Sequence, residues 1–175
     1  MTGAPANILS RCSNRTLPLT RDAHCRHNEA QVLLNSAPAA LFPDARHPDA
    51  ALAGLLLLMG CWDESHKISQ DIPSAEGSYW HAIAHRIEPD SFNSGYWFRR
   101  VGTHPIFPNL RARSAEILAE HSHLNWRLKQ TWDPFLFIEW CDEARADPKS
   151  EKARLSRQIQ QAEWKLLFDW CALPA

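Results

Sequence analysis

The sequence predicts an all-α protein, an irregular helical bundle packed around one buried central helix. Three observations carry this. Apolar residues recur at three- and four-residue spacing through the second half of the chain. Two Asp-Pro pairs stand where helices would begin, pairing a capping residue with a proline suited to the first turn. No segment keeps up the apolar–polar alternation of a half-buried strand. The chain has 175 residues, enough for one domain with one core, and its 45% hydrophobic and 22% charged content is that of a globular protein. We read residues 1–20 as an irregular N-terminal arm and 21–175 as a single helical domain.

The arm is rich in Pro, Asn, Ser and Thr and has no period. Residues 22–36 predict a short helix through Ala30, Leu33 and Leu34, and the prolines of 36–48 a loop. Pro48 then opens the central helix, Asp49–Trp62, apolar nearly all round, as befits a helix surrounded by others. Its far end turns polar at Asp63, Glu64 and His66. A helix is expected over 78–87, stopped by Pro89, and another over 94–101, stopped by Gly102. Three longer helices follow. The first runs over 110–129, the second from Asp133-Pro134 to Arg145. The third opens at Asp147-Pro148 and carries Leu155, Ile159, Ala162, Leu166 and Trp170 on one stripe.

Nineteen basic residues against twenty acidic ones leave a net charge of −1, so electrostatics predicts neither a nucleic-acid nor an anionic-membrane partner. The longest apolar run, 50–62, is shorter than the ~20 residues of a spanning helix. No basic start followed by an apolar stretch opens the chain, so no secretory signal is expected. The cysteines, five in number, are widely spaced without a C-x-x-C pair, which predicts reduced, buried thiols and a cytoplasmic protein.

The residues that could do chemistry concentrate between Asp63 and Phe107. His81 and His85 are four apart and share one helical face. Asp63 and His66 share a face three apart. Three histidines with a carboxylate or water make a tetrahedral site for zinc or a similar divalent transition metal such as iron, manganese or nickel. The same imidazoles could serve as acid–base groups without a metal, with Glu88 or Asp63 orienting a ring. Each could also be a core histidine satisfied by a carbonyl. Arg86, Arg99 and Arg100 lie among Tyr96, Trp97 and Trp80, residue types that grip a small anion by bidentate hydrogen bonds and stacking. His104, beside a proline, suits a structural or substrate contact. On the following helix Glu120-x-x-His123 has di-metal spacing but lacks the second motif. Walker, dinucleotide-binding and serine-hydrolase signatures are absent.

The block from Trp62 to Phe107 resembles a family of uncharacterised proteins that carry a similar D-x-S-H, then G-S-Y-W-H-x-I-x-H-R, then E-P-D, then N-S-x-Y-W-F-R-R-V-G-x-H-P. The matching residues are Asp63, Ser65 and His66; Gly77 to His81, Ile83, His85 and Arg86; Glu88 to Asp90; and Asn93 to His104. The resemblance covers about a quarter of the chain. It implies where a site lies and no activity. The expectation is an enzyme acting on a small anionic substrate, a hydrolase among the possibilities, with His66, His81, His85 and Glu88 as its chemical groups. The alternatives are a binding module that uses the aromatic–arginine surface without catalysis, and a structural bundle with no ligand.

Overall fold

A buried ion pair and an all-apolar helix organise the chain. In the computed structural model, which describes residues 3–12, 15–21, 25 and 27–174, the described residues form ten α-helices and no strand. They are α1 (Ala4–Arg11), α2 (His27–Leu34), α3 (Pro38–Leu41), α4 (Pro48–Leu58), α5 (Trp62–Asp71), α6 (Ala75–Ile87), α7 (Ser91–Val101), α8 (Phe107–Leu118), α9 (Pro134–Arg145) and α10 (Glu151–Ala172). No helix among them is long and apolar enough to cross a membrane.

The central helix is α4. Every residue from Ala50 to Leu58 is buried, because α3, α5, α6 and α10 all pack on it. Gly54 is where α6 comes closest: a Cβ there would lie 2.5 Å from the Trp80 ring. The Trp164 indole donates to the Gly54 carbonyl at 2.8 Å, joining α10 to the same spot. Any side chain at residue 54 would push α6 outward.

The expected continuous helix through Trp62 is broken. Gly60 adopts φ 79°, and the Cys61 and Gly60 amides donate back to Leu56 and Leu57, a glycine-terminated helix stop. The polar residues after it therefore belong to a separate helix, α5, which folds back along α4. The Ser65 hydroxyl, donating to the Ala53 carbonyl at 2.8 Å, holds it there. This break directs His66 toward α6.

On the other side of α6, Arg86 and Glu163 of α10 are both fully buried and ion-paired. Tyr79 donates to the same carboxylate at 3.0 Å, and Arg86 Nε donates to Gln160 at 3.2 Å. Gln160 in turn donates to the carbonyls of Leu17 and Pro18 at 3.3 and 2.8 Å. The guanidinium lies over Phe137 of α9 at 4.5 Å. One charge pair thus joins α6, α9, α10 and the segment before residue 20.

Several sequence expectations are corrected. The arm is not irregular throughout: residues 4–11 are helical, and Ile8, Cys12, Leu17 and Leu19 are buried. The expected start of the next helix at residue 22 lies outside the described residues. The helix expected over 110–129 ends at Leu118, and after the short turn Ser122–Leu124 the left-handed Asn125 ends regular structure. α10 begins after Ser150, whose hydroxyl accepts the Ala153 amide, rather than at Asp147. The acidic face offered for a di-metal site is exposed, Glu116 pairing with Arg113 and His123 with Glu151.

Cys25 and Cys61 are disulfide-bonded, their Cα atoms 4.3 Å apart, which corrects the expectation of five reduced thiols. The chain fold, not sequence spacing, brings together two cysteines 36 residues apart. The thiol argument for a cytoplasmic protein falls with it. Cys12, Cys141 and Cys171 are buried and free. Burial pushes the Cys141 and Cys171 thiols up to about 11 and about 12, so both stay protonated and unreactive.

Two outcomes are expected. Glu163→Leu alone strands a buried guanidinium and lowers unfolding free energy in urea by about 3–5 kcal/mol, while Glu163→Leu with Arg86→Met loses much less. Titration of unfolded protein with a thiol reagent finds three reactive cysteines before reduction and five after; five at the outset would refute the disulfide.

A candidate metal centre

Helices α5 and α6 bring three histidines together. His66 sits on the second turn of α5; His81 and His85 sit one turn apart on the facing side of α6. α6 starts there because Ser74 caps it, accepting the Gly77 amide. Gly77 lets the turn before it close, since a Cβ at that position would lie 2.4 Å from Ile72. The His85 Nε2 atom is 3.1 Å from His81 Nε2 and 3.3 Å from His66 Nε2. One nitrogen from each ring lies within 4.8 Å of the others, so the group could hold a metal ion.

The opposite ring nitrogens explain why these three point inward. His81 Nδ1 is 3.2 Å from the His66 carbonyl and 3.2 Å from Ser69 Oγ. Ser69 spends its own proton on the His66 carbonyl, so both partners accept and His81 carries its proton on Nδ1. Its Nε2 is then a bare lone pair. His85 Nδ1 faces Glu88 Oε2 at 3.3 Å and Asp90 Oδ2 at 3.8 Å. His85 Nδ1 is buried and makes no hydrogen bond with either carboxylate. The Nε2 of His85 is within hydrogen-bonding distance of both other rings, so neutral imidazoles can share a proton there or a metal can replace it. Zn–N bonds of ~2.0–2.1 Å in a tetrahedron put neighbouring nitrogens ~3.3 Å apart, close to the spacings here.

Aromatic rings wall the group. His66 stacks on Trp62, centroids 4.5 Å apart, and Trp97 of α7 covers His81 at 4.2 Å. Burial, then the neighbouring imidazoles, pushes the His81 ring down to about 3, and burial followed by His85 lowers His66. Both are therefore neutral near pH 7, the form that binds metals.

The other expected site residues are distributed differently. Asp63 is not a fourth ligand: it points outward and takes both oxygens to Arg21 at 2.7 Å, Arg21 lying over Trp62. Glu88 Oε2 lies 3.3 Å from His85 Nδ1 without a hydrogen bond between them. Arg86 cannot clamp an anion here, because it is buried against Glu163. Trp80 is not a ligand contact either, being wholly buried over Gly54. Arg99 and Arg100 are exposed on α7; Arg100 lies 5.0 Å over Trp97, whose other neighbour is His81. Tyr96, 44% exposed, meets Trp97 edge-on.

His104 stands apart from the three histidines. Its Nδ1 accepts the Ile106 amide, so the proton is on Nε2, which faces Glu76 at 3.6 Å. His47 and the Trp170 indole converge on the same carboxylate at 3.4 and 3.1 Å, and the contact with His104, with the indole's hydrogen bond, holds Glu76 well below the usual carboxylate range. Sequence reading missed Ser69 and Asp90 as supports of the centre. Ser69 stands three residues after His66, a spacing that could have pointed to it.

No family model matches the chain, and neither does any curated protein or solved structure with which it was compared.

Metal-free protein should lose stability as pH falls from about 6.5 toward about 3. In that window the unfolded chain takes up protons that folded His81 and His66 refuse, so acid favours unfolding, by up to ~1.4 kcal/mol per pH unit for each proton. His81→Gln should flatten the slope of melting temperature against pH; an unchanged slope refutes the assignment.

Proposed function

We propose that this protein is a metal-dependent enzyme acting on a small anionic substrate, with His66, His81 and His85 as ligands of one divalent transition metal. The carrying observation is the set of Nε2 atoms at 3.1 and 3.3 Å, with His81 Nδ1 engaged by the His66 carbonyl and the Ser69 hydroxyl. Such partners fix ring orientation and raise ligand basicity. All-imidazole ligation suits zinc, iron or nickel better than manganese, which prefers oxygen. Three protein ligands leave a position for water or substrate, and a bound metal would lower the pKa of that water towards ~7, the basis of hydrolytic chemistry. Glu88 and Asp90, at 3.3 and 3.8 Å from His85 Nδ1, place negative charge behind that ring. Arg100 and Arg99, on the helix that carries Trp97, supply positive charge for an approaching anion.

A second reading has one observation in its favour. α7 exposes Phe92 at 79% and Tyr96 at 44% beside Arg99 and Arg100, a surface that suits binding without catalysis. In that case Trp97→Ala abolishes binding and His85→Ala does not. The compartment follows from the thiols: a Cys25–Cys61 bond in freshly isolated protein places its work outside a reducing cytoplasm, and five free thiols place it inside.

The test is metal content. Stripped protein incubated with Zn²⁺, Fe²⁺, Ni²⁺ or Mn²⁺ and desalted should retain one ion per chain of one of the first three. His81→Ala and His85→Ala should each weaken retention at least tenfold, about 1.4 kcal/mol or more. Wild-type protein that keeps well under one ion per chain of any of them sinks the proposal.

A further inference from the structure

A cavity of about 800 Å³ lies between the end of α7, the first turns of α8 and α9, and the irregular segment that joins α8 to α9. None of His66, His81 and His85 lines it. Its wall includes Phe107, Arg111, Lys129, Trp132 and Phe135, and most of its exposed surface is apolar. A volume of this size falls in the range of small-molecule sites.

Three features give the cavity a sign. Arg111 and Lys129 are on its wall, tied together by a hydrogen bond from Arg111 Nε to the Lys129 carbonyl at 3.1 Å. The only acid on the wall, Asp133, pairs with Lys129 and caps α9 through the Phe135 and Leu136 amides. α8 starts at the wall with no side-chain cap and no acidic residue in its first turn, so the positive end of its dipole is not neutralised. The fourth feature is independent of charge. Trp132, 5% exposed, has a buried indole N–H without a hydrogen-bond partner. That ring forms part of the cavity wall, so its resonance reports on anything bound there.

We propose that this cavity binds a small carboxylate with an apolar, ring-sized body. The body lies among Phe107, Trp132 and Phe135; the carboxylate meets Arg111 and the start of α8. An apolar body explains why a cavity with so few polar groups should be this large, and the anionic end explains the single uncompensated charge sign. The proposal does not depend on the metal reading, since the two share no lining residue.

The test uses 4-phenylbutyrate, its neutral amide as control, and the full chain labelled with ¹⁵N. The indole resonance of Trp132 is identified by its loss in Trp132→Phe. Phenylbutyrate should shift it in a saturable way, and Arg111→Gln, a substitution at the cavity wall away from the core, should weaken that isotherm at least fivefold. The amide should bind at least fivefold more weakly than the acid. No saturable shift of the Trp132 indole overturns the proposal. Equal binding of acid and amide, or an unchanged isotherm in Arg111→Gln, overturns the carboxylate assignment.

Discussion

The fold depends most on one buried ion pair, Arg86 with Glu163. A guanidinium without water has to be matched donor for donor, and here Glu163, Gln160 and the faces of Phe137 and Phe98 surround it. Burial by itself would weaken its charge; the adjacent carboxylate outweighs this and holds Arg86 protonated. Hydrogen bonds have directions and apolar contacts do not. The pair therefore sets the rotation of α6 about its axis in a way that a purely apolar interface would not.

That rotation has a consequence one residue away. With Arg86 turned toward α10, His85 turns toward α5, and His81, a turn earlier, turns with it. The three-histidine group thus draws on the other face of a helix whose first face is pinned by charge. The break at Gly60 completes the arrangement, since only a separate α5 folding back over α4 can present His66 to that face. Ser65, bonded to the Ala53 carbonyl of α4, and Ser69, 3.2 Å from His81 Nδ1 of α6, are small buried polar residues that link α5 to its neighbours.

The two clusters of buried polar groups differ in chemistry. Around Glu76 a carboxylate accepts from the Trp170 indole, with Nε2 of His47 and His104 at 3.4 and 3.6 Å. Around His85 the near neighbours of Nε2 are two imidazole nitrogens, at 3.1 and 3.3 Å, a group that could hold a metal ion. The sequence already set His104 apart from the other three histidines of the block; the structure adds that His104 faces Glu76 while His66, His81 and His85 face one another.

How much was legible follows from the range of the interactions. All-α architecture, the buried helix opened by Pro48, the helix from Pro134 to Arg145 and the four-residue histidine pair were determined by the sequence alone, because period, caps and composition act locally. So was the concentration of histidines, arginines and aromatic residues between Asp63 and Phe107. The tertiary structure decided the rest: that Gly60 breaks the central helix, that Arg86 and Trp80 are core, that Asp63 faces out to Arg21, and that Cys25 finds Cys61. Each of these depends on what lies opposite in space. An arginine's sequence neighbours do not reveal whether water or a carboxylate 77 residues away will meet it.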